Sequence, residues 1–223
     1  MKTFIAIPAL EYVPALFAQS LSMLRRAGDT KVGFEVGSLV YVARNNLARA
    51  AIKAEADQVL WLDSDMYFKP ETLEAMQRVS QEHDIDILTA LCFRRKYPYT
   101  PTVYDRLDYD EAHGKCHFTQ FMSIPEERFQ VGGCGMAGCL MGTDVLMSVS
   151  AKFNGRMFDP LEGMGEDISF CWRARQCGYD IWCDPAIELG HIGQNIVTRG
   201  FFEAINGGNE NAQQSQTGKT DQH

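Results

Sequence analysis

The chain has 223 residues, 45% hydrophobic and 22% charged, with 21 basic against 29 acidic side chains and a net charge of −8. That composition fits one globular domain with ample core and excludes a chain disordered throughout. A pI near 5.1 leaves little positive field for a polyanion, so general nucleic-acid binding is not expected. Basic residues cluster only as Arg25-Arg26 and Arg94-Arg95-Lys96. The apolar stretch from Phe4 to Leu10 is too short for a signal sequence, and no segment approaches the ~20 apolar residues of a membrane span. A soluble, cytoplasmic protein without a membrane span is expected. Its seven cysteines include no C-x-x-C pair, which predicts reduced, partly buried thiols. The set Cys116, His117, Cys134 and Cys139 does not have structural-zinc spacing.

Thr3 to Ile7 is a short apolar run stopped by Pro8 and predicts a buried strand. From Pro14 to Ala27, Leu16, Phe17, Leu21 and Leu24 recur at helical spacing, with Gly28 as the closing residue. Lys31 to Val36 predicts a second strand. A helix over 43–56 follows, with Leu47, Ala50, Ala51 and Ala54 on one face. Val59 to Leu62 is an apolar strand running into Asp63-Ser64-Asp65. Pro70 then opens a helix carrying Leu73, Met76 and Val79, and Ile85 to Leu91 is a fourth strand. This alternation predicts an α/β fold, a mostly parallel sheet with helices on both faces, which binds ligands at the carboxyl ends of its strands.

Residues 94–128 read as a long excursion, with a hairpin turning at His113-Gly114. The glycine cluster 132–138 precedes a strand at Cys139-Leu140-Met141 and a helix capped by Thr143. Gly165-Glu166-Asp167 opens a helix with Ile168, Cys171 and Trp172, closed by Gly178. Two strand pieces, 181–183 and 186–189, lead into Gly190-His191. The expected organisation is a single catalytic domain over 1–205, with halves 1–96 and 97–205, and a polar disordered tail over 206–223.

Asp63 and Asp65 stand one residue apart at a strand's carboxyl end, where two carboxylates repel unless a cation or donor lies between them. Mg²⁺ or Mn²⁺ suits such a pair and leaves sites for phosphate oxygens. Arg44 at the start of the second helix can hold phosphate. Glu166 and Asp167 at a helix N-terminus suit a carboxylate that takes a proton from a hydroxyl. His191 between glycines can approach a ligand closely. Arg94, Arg95 and Lys96 can add positive charge over a diphosphate, whereas Trp172 and Trp182 read as core.

In this order, Ile5-Ala6-Ile7-Pro8, Ala43-Arg44-Asn45, Trp61 to Asp65, the glycine cluster, Gly165-Glu166-Asp167 with Phe170 and Arg173, and Gly190-His191 resemble the GT-A fold glycosyltransferases, family 2-like. The resemblance spans residues 3–195 and implies a Rossmann-like GT-A domain. It also implies a metal-dependent transfer of one sugar from a nucleotide-sugar donor, a UDP- or GDP-sugar, to an unidentified acceptor hydroxyl, with inversion. By position, Asp167 would be the general base with Glu166 beside it. Asp63, Asp65 and His191 would hold Mn²⁺ or Mg²⁺, with Asp65 the main ligand. Pro8, Ala9, Arg44, Asp63, Ser64 and Gly133 would contact the donor. The absence of a Q-x-x-R-W motif and of a membrane span implies a non-processive enzyme. Two other readings stay open: a metal-dependent nucleotidyltransferase or phosphohydrolase, and a nucleotide- or sugar-binding module without turnover.

Overall fold

The computed structural model describes residues 1–26, 28–121, 123–193 and 196–206. The chain begins β1 (Lys2–Ala9), α1 (Ala15–Met23), β2 (Asp29–Val36), α2 (Val40–Lys53), β3 (Gln58–Leu62), β4 (Met66–Tyr67), α3 (Thr72–His83) and β5 (Ile87–Leu91). It continues through β6 (Val103–Asp110), β7 (Lys115–Gln120), β8 (Phe129–Val131), β9 (Gly133–Cys134), β10 (Gly138–Gly142) and α4 (Thr143–Lys152). It then forms α5 (Glu166–Gln176), β11 (Ile181–Glu188), β12 (Gly190–Ile192) and β13 (Ile196–Val197). A helical run over 199–206 follows.

Seven strands form the central sheet in the order β2-β1-β3-β10-β5-β11-β8. Strands β2, β1, β3, β5 and β11 run one way, and β10 and β8 run against them, so the sheet is mostly parallel as expected. The period of two along each strand divides the core. Phe4, Ala6, Val59 and Trp61 pack with α2, α4 and α5 on one face, while Ile5, Ile7, Leu60 and Leu62 pack with α1 and α3 on the other. Strands covered on both faces are buried along their whole length and mostly apolar, which explains why β3 and β5 show no alternation; their polar residues, Gln58 and Thr89, are hydrogen-bonded.

Several boundaries differ from the sequence reading. Helix α1 ends at Met23, with Leu24 rather than Gly28 after its last turn. The buried face of α2 is Arg44, Leu47, Ala48 and Ala51, and Ala50 is exposed. Gly142, not Thr143, occupies the N-cap of α4, and Thr143 is the first helical residue. The two pieces around Pro185 are one strand, β11, with a register shift between Asp184 and Glu188. Proline cannot donate to the ladder, so the interruption appears as an irregularity within the strand. The excursion does contain a hairpin, β6 with β7, turning at Gly114 with φ +62°. Asn206 belongs to the final helical run, and the rest of the expected tail, 207–223, lies outside the described residues.

Strand β10 lies antiparallel between β3 and β5, a placement that alternation along the chain did not indicate. Its first residue, Gly138, pairs with Leu62, so the preceding segment 135–137 lies against Asp63, whose N–H donates to the Ala137 carbonyl at 3.3 Å. The two halves of the chain therefore share one sheet. No helix among the described residues is long and apolar enough to cross a membrane.

Candidate active site

The carboxyl ends of β1 and β3, the segment 135–137 and the N-terminus of α5 surround a cavity of about 420 Å³. Pro8, Ala9, Arg44, Asp63, Ser64, Asp65, Glu166, Asp167 and His191 all line it. Gly133 does not. It is buried in β9, where an added Cβ would lie 3.4 Å from Cys171 Cβ and 3.2 Å from Leu107 Cδ2.

After β3 the chain turns at Asp63, with the Met66 N–H donating to the Asp63 carbonyl at 3.2 Å, and enters β4. Strand β4 pairs with β12 so that His191 opposes Met66, and the Ile192 N–H donates to the Asp65 carbonyl at 2.8 Å. This pairing brings His191 Nε2 to 3.2 Å from Asp65 Oδ2. Gly190 permits the close approach of the small sheet, because a Cβ there would lie 2.6 Å from Ile196 Cγ2.

The other ring nitrogen of His191, Nδ1, is 2.8 Å from the Phe93 carbonyl oxygen. A carbonyl only accepts, so Nδ1 carries a hydrogen, and Nε2 can face the Asp65 carboxylate only with a proton or a metal cation between them. Burial acts to lower the His191 pKa, but the hydrogen bond and charge of Asp65 outweigh it and the net direction is up. Asp65 moves the opposite way: burial acts to raise its pKa, and His191 and Arg95 hold it below the ordinary carboxylate value. Arg95 Nη1 donates to the same Asp65 Oδ2 at 2.7 Å.

Arg44 is 2% exposed, because it continues the buried face of α2. Its Nη2 donates to Asp63 Oδ1 at 2.8 Å and its Nε to Glu166 Oε1 at 3.2 Å, while Nη1 is buried without a partner. The guanidinium thus joins the D-x-D turn to α5. Burial acts against its charge, but Asp63, Glu166 and Asp167 together raise its pKa.

Asp167 Oδ1 accepts from the Ile168 N–H at 2.7 Å, and Oδ2 faces Gly135, 3.6 Å from where a Cβ would be. Burial, then the Glu166 charge, push its pKa up to about 6 against the opposing pull of Arg44.

The residues that would hold a divalent cation are therefore Asp65 and His191, which converge. Asp63 is turned to Arg44, and among the described residues no group of three His, Cys, Asp or Glu is placed to hold a metal. A carboxylate oxygen and an imidazole nitrogen that need a cation between them fit an ion which draws its remaining ligands from substrate phosphates. Arg94, Thr102 and Tyr104 also line the cavity, with Arg94 Nη2 donating to the Tyr104 hydroxyl at 2.6 Å. The basic run signalled Arg94, whereas Thr102 and Tyr104 carry no sequence mark and reach the site only because β6 pairs with β9.

A mostly parallel sheet with an acidic turn at a central strand end, facing a helix that begins with two acids, defines the GT-A glycosyltransferase class of protein. The family model described as glycosyltransferase-like family 2 matches residues 24–204, and the chain belongs to that family. A197 from STIV, known from a crystal structure, is 15% identical with a TM-score of 0.65, the match covering 87% of this chain and 87% of that one. GalNAc-T7, solved with UDP, GalNAc and Mn²⁺, is 12% identical with a TM-score of 0.58 over 86% of this chain and 44% of that one. The chain thus spans under half the length of GalNAc-T7, and at these identities both likenesses speak for the fold. No curated protein matches the chain.

Proposed function

We propose that the protein transfers one sugar from a nucleotide-sugar donor, a UDP- or GDP-sugar, to an acceptor hydroxyl with inversion, non-processively. The observation that carries this reading is the convergence on one cavity of the Asp65–His191 pair, 126 residues apart in sequence, with Asp167. A bound Mn²⁺ or Mg²⁺ would stabilise the negative charge that develops on the departing nucleoside diphosphate. The rest falls to the chain. Pro8, Ala9 and Ser64 border the nucleotide, and Arg44 holds Asp63 through Oδ1 at the cavity wall, where both residues contact the donor. Asp167 Oδ2 takes the acceptor proton as the acceptor oxygen attacks the anomeric carbon. A pKa of about 6 makes Asp167 a stronger base than an ordinary carboxylate while leaving it ionised at pH 7. Arg94 and Tyr104 line the same cavity and can contact the acceptor. Residues 1–96 supply the nucleotide wall and residues 97–205 the catalytic wall of this single domain. Seven free cysteines suit a reducing compartment, which supports a cytoplasmic location.

Calorimetry with UDP and GDP, with and without Mn²⁺, tests the donor side. One nucleoside diphosphate should bind, and more tightly with the metal. Product NMR with the matching sugar nucleotide reads the anomeric configuration, and a retained anomer would remove Asp167 as the base. Binding of neither nucleotide under any metal condition would end the reading.

A further inference from the structure

A second concave region lies over the C-terminal half of α5 and shares no lining residue with the donor cavity. It has a volume of about 530 Å³ and joins a neighbouring cavity of about 370 Å³ through the shared Tyr109 and Trp172. Its walls carry three cations, Lys152, Arg156 and Arg173, against one acid, Glu111. This concentration of positive charge stands out on a chain of net charge −8.

Arg173 is the unusual member. It is 3% exposed, and among the described residues no carboxylate forms an ion pair with it. Nη1 donates to the Met157 carbonyl at 3.1 Å, and the guanidinium lies 5.7 Å from the centre of the Phe153 ring. A second cation, Lys152, lies against the same ring, with its Nζ 5.9 Å from the centre, and also donates to the Gln176 carbonyl. The nearby acid Asp159 is held by Asn45 Nδ2 at 2.8 Å. Burial lowers the Arg173 pKa, Asp159 acts to raise it, and Arg156 lowers it further. Charges removed from water are normally paired, and like charges around one ring repel. Asp159 acts on Arg173 only through its charge, and no carboxylate among the described residues closes an ion pair with the guanidinium.

We propose that this groove is a binding site for an oxyanion group, the phosphate or carboxylate of a small ligand, held by Arg173 at its base and by Arg156 and Lys152 at its rim. A guanidinium presents paired donors to either oxyanion, and two further cations complete the neutralisation. The proposal does not depend on the reaction carried out at the donor cavity.

The test is a thermal-shift and calorimetric titration of the full chain at constant ionic strength with inorganic phosphate, glucuronate and glucose. The double variant Lys152→Gln/Arg156→Gln changes only exposed side chains, so folding should be preserved. Phosphate or glucuronate should raise the Tm of the wild type saturably while glucose does not. In the variant the anion affinity should fall at least ~10-fold, and its ligand-free Tm should be equal or higher because the mutual repulsion is relieved. A response to one anion alone identifies that group as the ligand's. UDP binding, measured in parallel, should be the same in both proteins, which separates this groove from the donor cavity. Equal anion affinity in wild type and variant, or no response of the wild type to either anion, overturns the proposal.

Discussion

Two arginines are buried to nearly the same extent in this molecule, Arg44 at 2% exposure and Arg173 at 3%, and their surroundings are opposite. Arg44 enters from α2 between Asp63 and Glu166, with Asp167 close enough to act on it. Arg173 points from α5 toward backbone carbonyl, an aromatic ring and two further cations. The directions of their pKa values follow, up for Arg44 and down for Arg173. One cavity brings its own counter-charge and retains an excess of carboxylate, so it suits a cation-bearing substrate complex. The other holds three cations against the one acid Glu111 and suits an anion. The same helix, α5, supplies acids at its first turn and the unpaired cation two turns later.

The largest expected effect lies at the acidic end of that helix. Asp167→Asn should lower turnover by ~10²–10⁴-fold while changing nucleotide affinity little. Steady-state kinetics beside calorimetry measure both, and full activity would place the base elsewhere. The charge comparison itself is sharpened by stability. Arg44→Met leaves three carboxylates without their cation and should lower the Tm by about 10 °C, the consequence of breaking a buried pair. Arg173→Met strands no carboxylate, loses one hydrogen bond, and should cost about 2–5 °C. Equal losses would mean that charge balance does not distinguish the two sites. Asp65→Ala should abolish the Mn²⁺-dependent gain in nucleoside diphosphate affinity, a loss of about 10-fold or more if the Asp65–His191 pair holds the ion. An unchanged metal response would remove Asp65 from that role.

The last effect is a pH dependence. Folded Asp167 titrates at about 6 against an ordinary value of 3.8, so between those values the folded chain holds a proton that the unfolded chain has released. Its contribution to stability therefore falls as pH rises through that window and stays low above it. Asparagine cannot ionise. The Asp167→Asn variant should match wild type near pH 4 and exceed it in Tm by roughly 6–12 °C above pH 7. A Tm difference that does not vary with pH would show that Asp167 titrates alike in both states.

Much of the first half was legible because its elements are self-announcing. The apolar run Val59–Leu62 and the stretch Ile87–Leu91, interrupted only by Thr89, record strands covered on both faces, and Leu73 and Met76 mark the buried side of α3. The D-x-D turn, Asp167 and His191 were legible by residue type and order. The identity of the buried face of α2 was not, because alanine at positions 48, 50, 51 and 54 is compatible with either side. Shifting that face placed Arg44 in the interior, and with it the partner that takes Asp63 away from Asp65 and His191. Nor did any local feature mark Thr102 and Tyr104, whose position depends on a strand pairing between residues distant in sequence.

What the sequence alone determined was the alternation of strands and helices in the first half, the strands covered on both faces, and which side chains are candidates for the site's chemistry. Those properties are local: periodicity, turn residues and functional groups act over a few neighbouring residues. Tertiary structure decided which charge meets which. Pairing β4 with β12 joins Asp65 to His191, inserting β10 sets the glycine segment against Asp63, and packing α2 beside α5 gives Arg44 two carboxylates, while among the described residues no carboxylate forms an ion pair with Arg173. Electrostatic energy depends on separations of a few ångströms between groups from different elements, and the packing of those elements sets these separations.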